Sequence, residues 1–238
     1  MSSRRKSRYR KVLSPKNFWN EMAPYYDEFV ASTRYKFFTP EDEVRFFDEL
    51  FRGRRLILDL GCGTGRTIEL LSERGYELVG LDISGEMLRV ARGHGLGCLV
   101  LADIAHLPFR DSTFDAAFSL HGGLSQFKTF GERLRAFKEI ARVLKSGGLV
   151  FIDVPSPYRE DKGEVYLVEW PAGDRKIRTV GYALWLKDAL KILKESKFEL
   201  SRLLGGYDLK KEFDKRESRR LVIIAVKTEM DRGVAKND

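Results

Sequence analysis

The sequence predicts an α/β fold, a mostly parallel sheet with helices on both faces. Three observations predict it. Short apolar runs alternate with helical segments from Leu56 to Val154. A glycine-rich loop joins the first run to its helix, and an acid, Asp59, Asp82 or Asp103, stands at the end of each of the first three runs. Strands buried on both faces read as continuous apolar runs, and strand–helix alternation is what a parallel sheet requires.

The elements follow in order. Ser14-Pro15 reads as an N-cap with proline at the first helical position. The helix it starts runs to about Ala31, with Pro24 breaking or kinking it. Thr39-Pro40-Glu41-Asp42 repeats the start signal, with acids in the first turn. That helix ends near Arg52, with Gly53 just beyond. Leu56-Ile57-Leu58 is a buried strand, Thr67 to Arg74 a helix closed by Gly75, and Leu78 to Leu81 a second strand. Ser84 caps a helix ending near Gly93. Cys98 to Leu101 and Phe114 to Leu120 are the next strands. Arg133 to Leu144 is helical, Lys145-Ser146-Gly147-Gly148 a turn, and Leu149 to Val154 the fifth strand. After Pro157 the pattern changes. Val165 to Trp170 and Lys176 to Tyr182, joined through Pro171 to Asp174, form an antiparallel hairpin. A helix from Leu186 to Ser196 and strands at Phe198 to Leu204 and Leu221 to Val226 complete the chain, with a long charged stretch from Lys210 to Arg220.

The 238 residues, 43% of them hydrophobic, suit one globular domain. No apolar run approaches the roughly 18–20 residues of a membrane span. No apolar stretch follows the N-terminal arginines, so a cytoplasmic location is expected. Cys62 and Cys98 belong to no metal-binding pattern and read as reduced, mostly buried thiols; no metal is expected. A charged fraction of 33% and a single glutamine, Gln126, suggest a thermophilic source.

The formal net charge is +8, and its location matters more than its size. Arg4, Arg5, Lys6, Arg8, Arg10, Lys11 and Lys16 fall in residues 1–16 without one acid, so the remaining chain is nearly neutral. Residues 1–16 read as a basic arm, 17–228 as the domain and 229–238 as a tail. Within the domain, 17–53 would be cap helices and 158–184 a hairpin insert on the acceptor side. Basic arms of this kind bind nucleic acid; the alternative is a solvated tail that aids solubility.

The loop Leu58-Asp59-Leu60-Gly61-Cys62-Gly63-Thr64-Gly65 separates three ligand classes. A phosphate loop needs GxxxxGK followed by Ser or Thr, which is absent. A dinucleotide fingerprint needs GxGxxG, but here the third glycine comes one residue early. GxGxG preceded by Asp59 suits a ligand without a pyrophosphate. Asp82, ending the second strand, is placed to accept ribose hydroxyls. Asp103 ends the third strand beside Ile104, a carboxylate for an adenine amino group next to an apolar side chain for its ring.

From Phe18 to Lys227 the chain resembles the class I S-adenosylmethionine-dependent methyltransferases of the methyltransferase-11/25 type. The resemblance rests on Phe18 to Asp27, Leu58 to Gly65, Val79 to Ser84, Ala102-Asp103, Leu107-Pro108-Phe109, Phe114-Asp115-Ala116, Ala141 to Gly148, and Arg219 to Val222. It implies a Rossmann-like, mostly parallel seven-stranded sheet with an antiparallel last strand and a small β-hairpin insert after strand 5. It implies S-adenosyl-L-methionine as cofactor. Gly61, Gly63 and Gly65 would pack against its methionine part and Asp59 would hold its amino group. Asp82 would take the ribose, Ile83, Asp103 and Ile104 the adenine. Leu120 would line the floor beside the sulfonium, and Tyr26 would cap the cofactor.

A sulfonium is an activated methyl donor, so catalysis reduces to approach geometry, exclusion of water and loss of a proton. His121, following the fourth strand at the reactive end, is the candidate catalytic group; the alternative is a histidine that only hydrogen-bonds the nearby backbone. The Pro-Pro-aromatic motif of amino-group nucleic-acid methyltransferases is absent there, where Leu120-His121-Gly122-Gly123 stands. Two acceptors remain open. Structured RNA, rRNA or tRNA, methylated on a base nitrogen, is favoured by Arg4, Arg5, Lys6, Arg8, Arg10 and Lys11. A small metabolite is favoured by the neutral body and the hairpin.

Overall fold

The computed structural model of the chain describes residues 12–33, 39–121, 123–158 and 164–228. The expected RNA-binding residues Arg4, Arg5, Lys6, Arg8, Arg10 and Lys11 and the tail 229–238 lie outside the described residues. The arm boundary moves. Leu13 N–H donates to Arg178 O at 2.8 Å, and Ser14 caps the first helix, so residues 13–16 belong to the folded body.

That helix, α1 (Pro15–Met22), ends where Pro24 denies the ladder a donor. A short 3-10 turn over Ala23–Tyr25 carries the chain into α2 (Tyr26–Thr33). The helix α3 (Pro40–Leu50) starts with a capping box in which Thr39 and Asp42 exchange hydrogen bonds, satisfying donors the helix leaves open. Then come β1 (Leu56–Leu60), α4 (Arg66–Ser72), β2 (Glu77–Asp82), α5 (Gly85–Gly93), β3 (Leu99–Leu101) and β4 (Phe114–Ser119). The second half holds α6 (Phe130–Val143), β5 (Leu144–Pro155), β6 (Val165–Ala172), β7 (Arg175–Tyr182), α7 (Leu186–Glu195), β8 (Phe198–Leu204) and β9 (Arg220–Lys227).

Seven strands form one sheet in the order β3-β2-β1-β4-β5-β9-β8. The pairs from β3 through β5 are parallel, and β9 runs antiparallel between β5 and β8. β6 and β7 form the hairpin as a separate sheet. One apolar cluster packs α6 and α7 on one face, around Phe137, Ile140 and Ile192; a second packs α3 and α4 on the other, around Phe47, Phe51 and Phe118. A third, joining Phe18 and Met22 of α1 to Ala172 and Ile177 of the hairpin, fixes the hairpin beside the N-terminal helices. Among the described residues no helix is long and apolar enough to cross a membrane.

Three local readings are corrected. The expected turn at Lys145 to Gly148 lies inside β5. Phe114 pairs Leu144 and Ala116 pairs Leu149, so these residues form a bulge while pairing continues on either side. The sixth helix starts at Phe130, earlier than expected, because Thr129 and Glu132 form a capping box. Cys62 is buried as expected, but Cys98 is exposed.

Candidate active site

Strand order reverses between β1 and β4, so loops leaving their C-terminal ends diverge and open a crevice, the general ligand site of such sheets. A cavity of about 250 Å³ lies there. Asp59 and Gly61 from the end of β1, Gly63 from the loop, and Asp82 and Ile83 from the end of β2 line it. Asp103 and Ile104 after β3, Leu120 and His121 after β4, and Tyr26 of α2 complete the wall. The sequence-selected residues therefore converge, with one exception. A Cβ on Gly65 would fall 2.1 Å from Leu96 Cδ1 and 3.3 Å from Ala91 Cβ, and Gly65 does not line the cavity. Its φ of 83° and the close approach of α5 require glycine, so packing accounts for the missing side chain.

The loop is held in shape by Asp82. Gly63 N–H donates to its Oδ2 at 2.9 Å and Ser84 N–H to its Oδ1 at 2.8 Å. Each oxygen keeps lone-pair capacity for a further donor. The N-terminal helices are pinned over the loop by two contacts: Thr64 Oγ1 to Asp27 Oδ1 at 2.6 Å and Ser84 Oγ to Asn20 Oδ1 at 2.7 Å. Behind it, buried Glu43 of α3 accepts from Arg66 Nη1 at 2.8 Å and Thr67 Oγ1 at 2.7 Å. Burial pushes the Asp59 carboxyl well above its ordinary value, the carboxyls of Asp82 and Glu43 push it the same way, and Arg66 opposes them. Burial also raises Asp82, against the backbone N–H groups of Ser84, Gly63 and Ile83. The cavity thus offers desolvated carboxylates between apolar walls. Such a donor set suits a ligand that brings positive charge and a diol, and a methionine-derived sulfonium with an α-ammonium group and a ribose fits it.

At the far end of the crevice His121 takes φ 58°, a left-handed conformation unusual for a residue with a side chain. Its backbone N–H donates to Asp153 Oδ2 at 3.0 Å, and its Nδ1 stands 3.8 Å from the same oxygen. Asp153, fully buried on β5, also accepts from Tyr207 Oη at 2.5 Å and, through two oxygens, from Arg220 at 2.6 and 2.5 Å. Although burial opposes its charge, Asp153 keeps the Arg220 guanidinium above its ordinary value.

Residues 58–152 match the family model described as a methyltransferase domain. That segment carries a methyltransferase domain, and the sheet around it has the Rossmann-like class I fold. Several relatives resemble it over part of their length. A human probable tRNA methyltransferase 9B is 36% identical over 138 residues, 58% of this chain and 28% of its own. An Arabidopsis thaliana tRNA (carboxymethyluridine(34)-5-O)-methyltransferase is 33% identical over 152 residues, 64% of this chain and 34% of its own. A Corynebacterium kroppenstedtii demethylmenaquinone methyltransferase is 41% identical over 92 residues, 39% of this chain and 38% of its own. The chain therefore spans well under two thirds of these relatives. Among solved structures, the CcbJ methyltransferase of Streptomyces caelestis superposes with a TM-score of 0.73 at 16% identity, covering 89% of this chain and 98% of that one. A sugar N-methyltransferase from Streptoalloteichus gives 0.66 at 24% identity, covering 96% and 99%. At these identities the likeness is one of fold.

Within the methyltransferase domain, sequence reasoning missed Glu43 and the role of Asp153, Tyr207 and Arg220. In the sequence Asp153 reads only as part of the fifth strand, and no spacing rule ties it to Arg220.

Proposed function

We propose that the protein methylates a nitrogen of a base in structured RNA, rRNA or tRNA, using S-adenosyl-L-methionine. The observation that carries this reading is where the basic run meets the fold. The run ends at Lys11, and the residues that follow it, Val12 to Pro15, line a groove that shares Asp103, Gln126 and Phe127 with the cofactor cavity. The cations at positions 4–11 are joined in sequence to this groove, and in this reading they hold an RNA backbone. The tRNA methyltransferases among the partial relatives support the same acceptor class. A small-molecule acceptor is the second reading, supported by a chamber of about 450 Å³ next to the cofactor cavity.

In this reading Asp82 binds the ribose hydroxyls and Asp59 the α-ammonium. Ile83, Asp103 and Ile104 hold the adenine, Gly61 and Gly63 admit the methionine part, Leu120 floors the reactive end and Tyr26 covers it. The cofactor supplies a methyl group already activated on a positively charged sulfur. The domain's residues then exclude water and orient the acceptor nitrogen, and His121 accepts the proton that this nitrogen loses on methylation. Asp153 acts through His121 as a positioning residue.

Cofactor affinity should depend on pH. The free site holds the Asp59 and Asp82 carboxyls above their ordinary values. A bound ammonium favours their ionised forms, so binding releases protons. Affinity for S-adenosylhomocysteine should therefore rise with pH, by about tenfold per unit per proton released, until the raised free-site values are passed. Calorimetry in two buffers of different ionisation enthalpy measures that release; a buffer-independent heat would remove Asp59 from the ammonium site.

Two experiments test the acceptor. Nucleoside mass spectrometry of total RNA with and without the gene should show one methylated base lost. Removing residues 1–11 should flatten the log–log salt dependence of RNA binding by about two to four units, with cofactor affinity unchanged. An unaltered slope would reduce the arm to a solvated tail and favour the metabolite.

A further inference from the structure

Beside the cofactor cavity lies the second chamber, of about 450 Å³, between α1, α2 and the hairpin. It shares Trp19, Tyr26, His121 and Gln126 with the cofactor cavity, so whatever occupies it faces the reactive end. Its wall is aromatic: Trp19, Tyr26, Phe29, Tyr166 and Trp170 are each half-buried, leaving part of a ring uncovered. Phe29 and Trp170 stack at 4.5 Å between centroids with planes 30° apart, which fixes the Trp170 ring as a platform. Tyr166 is set by its cross-strand partner, because a Cβ on Gly181 would stand 2.4 Å from the Tyr166 ring. The charges on the wall are committed elsewhere: Arg220 to Asp153, and Glu169 to Lys176 and Arg178. The chamber therefore favours a flat, uncharged ring over a phosphate, and its volume suits one nucleoside and not a helix of RNA.

Gln126, the chain's single glutamine, stands where the two cavities meet. Its Oε1 is buried and has no hydrogen-bond partner among the described residues. A buried amide oxygen left without a donor is destabilising, and a ligand N–H arriving at this point would remove that penalty.

We propose that the chamber receives one nucleobase extruded from the RNA, stacked on its aromatic wall, and that Gln126 accepts a hydrogen bond from that base's N–H. The inference rests on the RNA reading above and specifies what enters the site. Extrusion is the general solution for enzymes that must reach an atom of a stacked base. Stacking on aromatic rings supplies affinity for any base, and the amide oxygen selects one that presents an N–H donor.

The test uses the full chain saturated with S-adenosylhomocysteine. Trp19 and Trp170 line the chamber, so their fluorescence reports stacking. Adenosine, cytidine, guanosine and uridine are titrated, each beside an analogue whose base N–H groups are replaced by methyls. At least one nucleoside should quench saturably, and its blocked analogue should bind about tenfold more weakly. Gln126→Leu should bind the pair equally while keeping S-adenosylhomocysteine affinity within about twofold, which also reports folding. Equal binding of the pair by the unaltered protein would overturn the role of Gln126. So would weakened S-adenosylhomocysteine binding by Gln126→Leu, which would assign the amide to the cofactor. No quenching by any nucleoside, in a protein that nonetheless methylates RNA, would overturn the chamber while leaving the RNA reading intact. No quenching and no RNA methylation would overturn both.

Discussion

Asp82→Ala is expected to weaken S-adenosylhomocysteine binding by about two orders of magnitude while leaving the domain folded. Two effects add. A charge-assisted hydrogen bond is worth about 1.5–3 kcal/mol, and Asp82 is positioned to offer the ribose diol more than one. The same carboxylate holds the glycine loop through Gly63 N–H and the start of α5 through Ser84 N–H, so its loss also loosens the cradle. Together about 3 kcal/mol corresponds to roughly a hundredfold in the dissociation constant. Folding should survive. Two backbone donors lose a partner, but a desolvated carboxylate and its repulsion with Asp59 disappear as well. The melting temperature should move by no more than about 4 °C. Calorimetric titration decides the matter. An affinity within about threefold of the unaltered protein, with a normal melt, would remove Asp82 from the cofactor site. Asp82→Asn should fall between the two, because an amide can accept from only one of the two backbone N–H groups.

What the sequence made legible was local or repeated. Ser14-Pro15 and Thr39-Pro40 mark helix starts through capping chemistry confined to four residues, and both helices begin there. Gly173 and Asp174 mark the hairpin turn, with Gly173 at φ 64°. The alternation of apolar runs marked the parallel half of the sheet, but the count of seven strands and the antiparallel last strand came from the family resemblance; no residue between β1 and β4 announces that they pair. The illegible features are long-range. Glu43 sits among acids at a helix start and reads as a solvated first-turn carboxylate; it is buried because Arg66 and Thr67, on another helix, close over it. Gly65 belongs to the same loop pattern as Gly61 and Gly63, yet its missing side chain accommodates Leu96, a contact that exists only once α5 has docked. The capping box at Thr129 and Glu132 is different in kind, since its signal was present in the sequence four residues before the expected helix start.

Asp153 supplies the other large effect, and here stability and function should separate. Asp153→Ala removes the partner of Arg220, whose side chain retains 27% exposure beside a fully buried carboxylate. Breaking a buried pair from one side costs about 3–5 kcal/mol, and the residual exposure of Arg220 places this case near the lower figure. For a domain of this size that is a melting temperature lowered by about 10 °C. Tyr207 loses its acceptor at the same time. Arg220→Met alone should be costly for the complementary reason, stranding the carboxylate. The double variant Asp153→Leu with Arg220→Met replaces the pair by apolar groups of similar reach, and such replacements are often neutral. It should recover most of the stability lost by either single change. It should not recover methyl transfer, because the His121 backbone N–H then has no carboxylate to hold its left-handed turn, and the imidazole loses the oxygen 3.8 Å away. Thermal melts and single-turnover transfer to RNA from cells lacking the gene measure the two quantities independently. Single variants melting within about 2 °C of the unaltered protein would show that the pair contributes little to the fold. A double variant with normal transfer would show that His121 keeps its place without Asp153, and the positioning role would pass to the packing of the loop after β4.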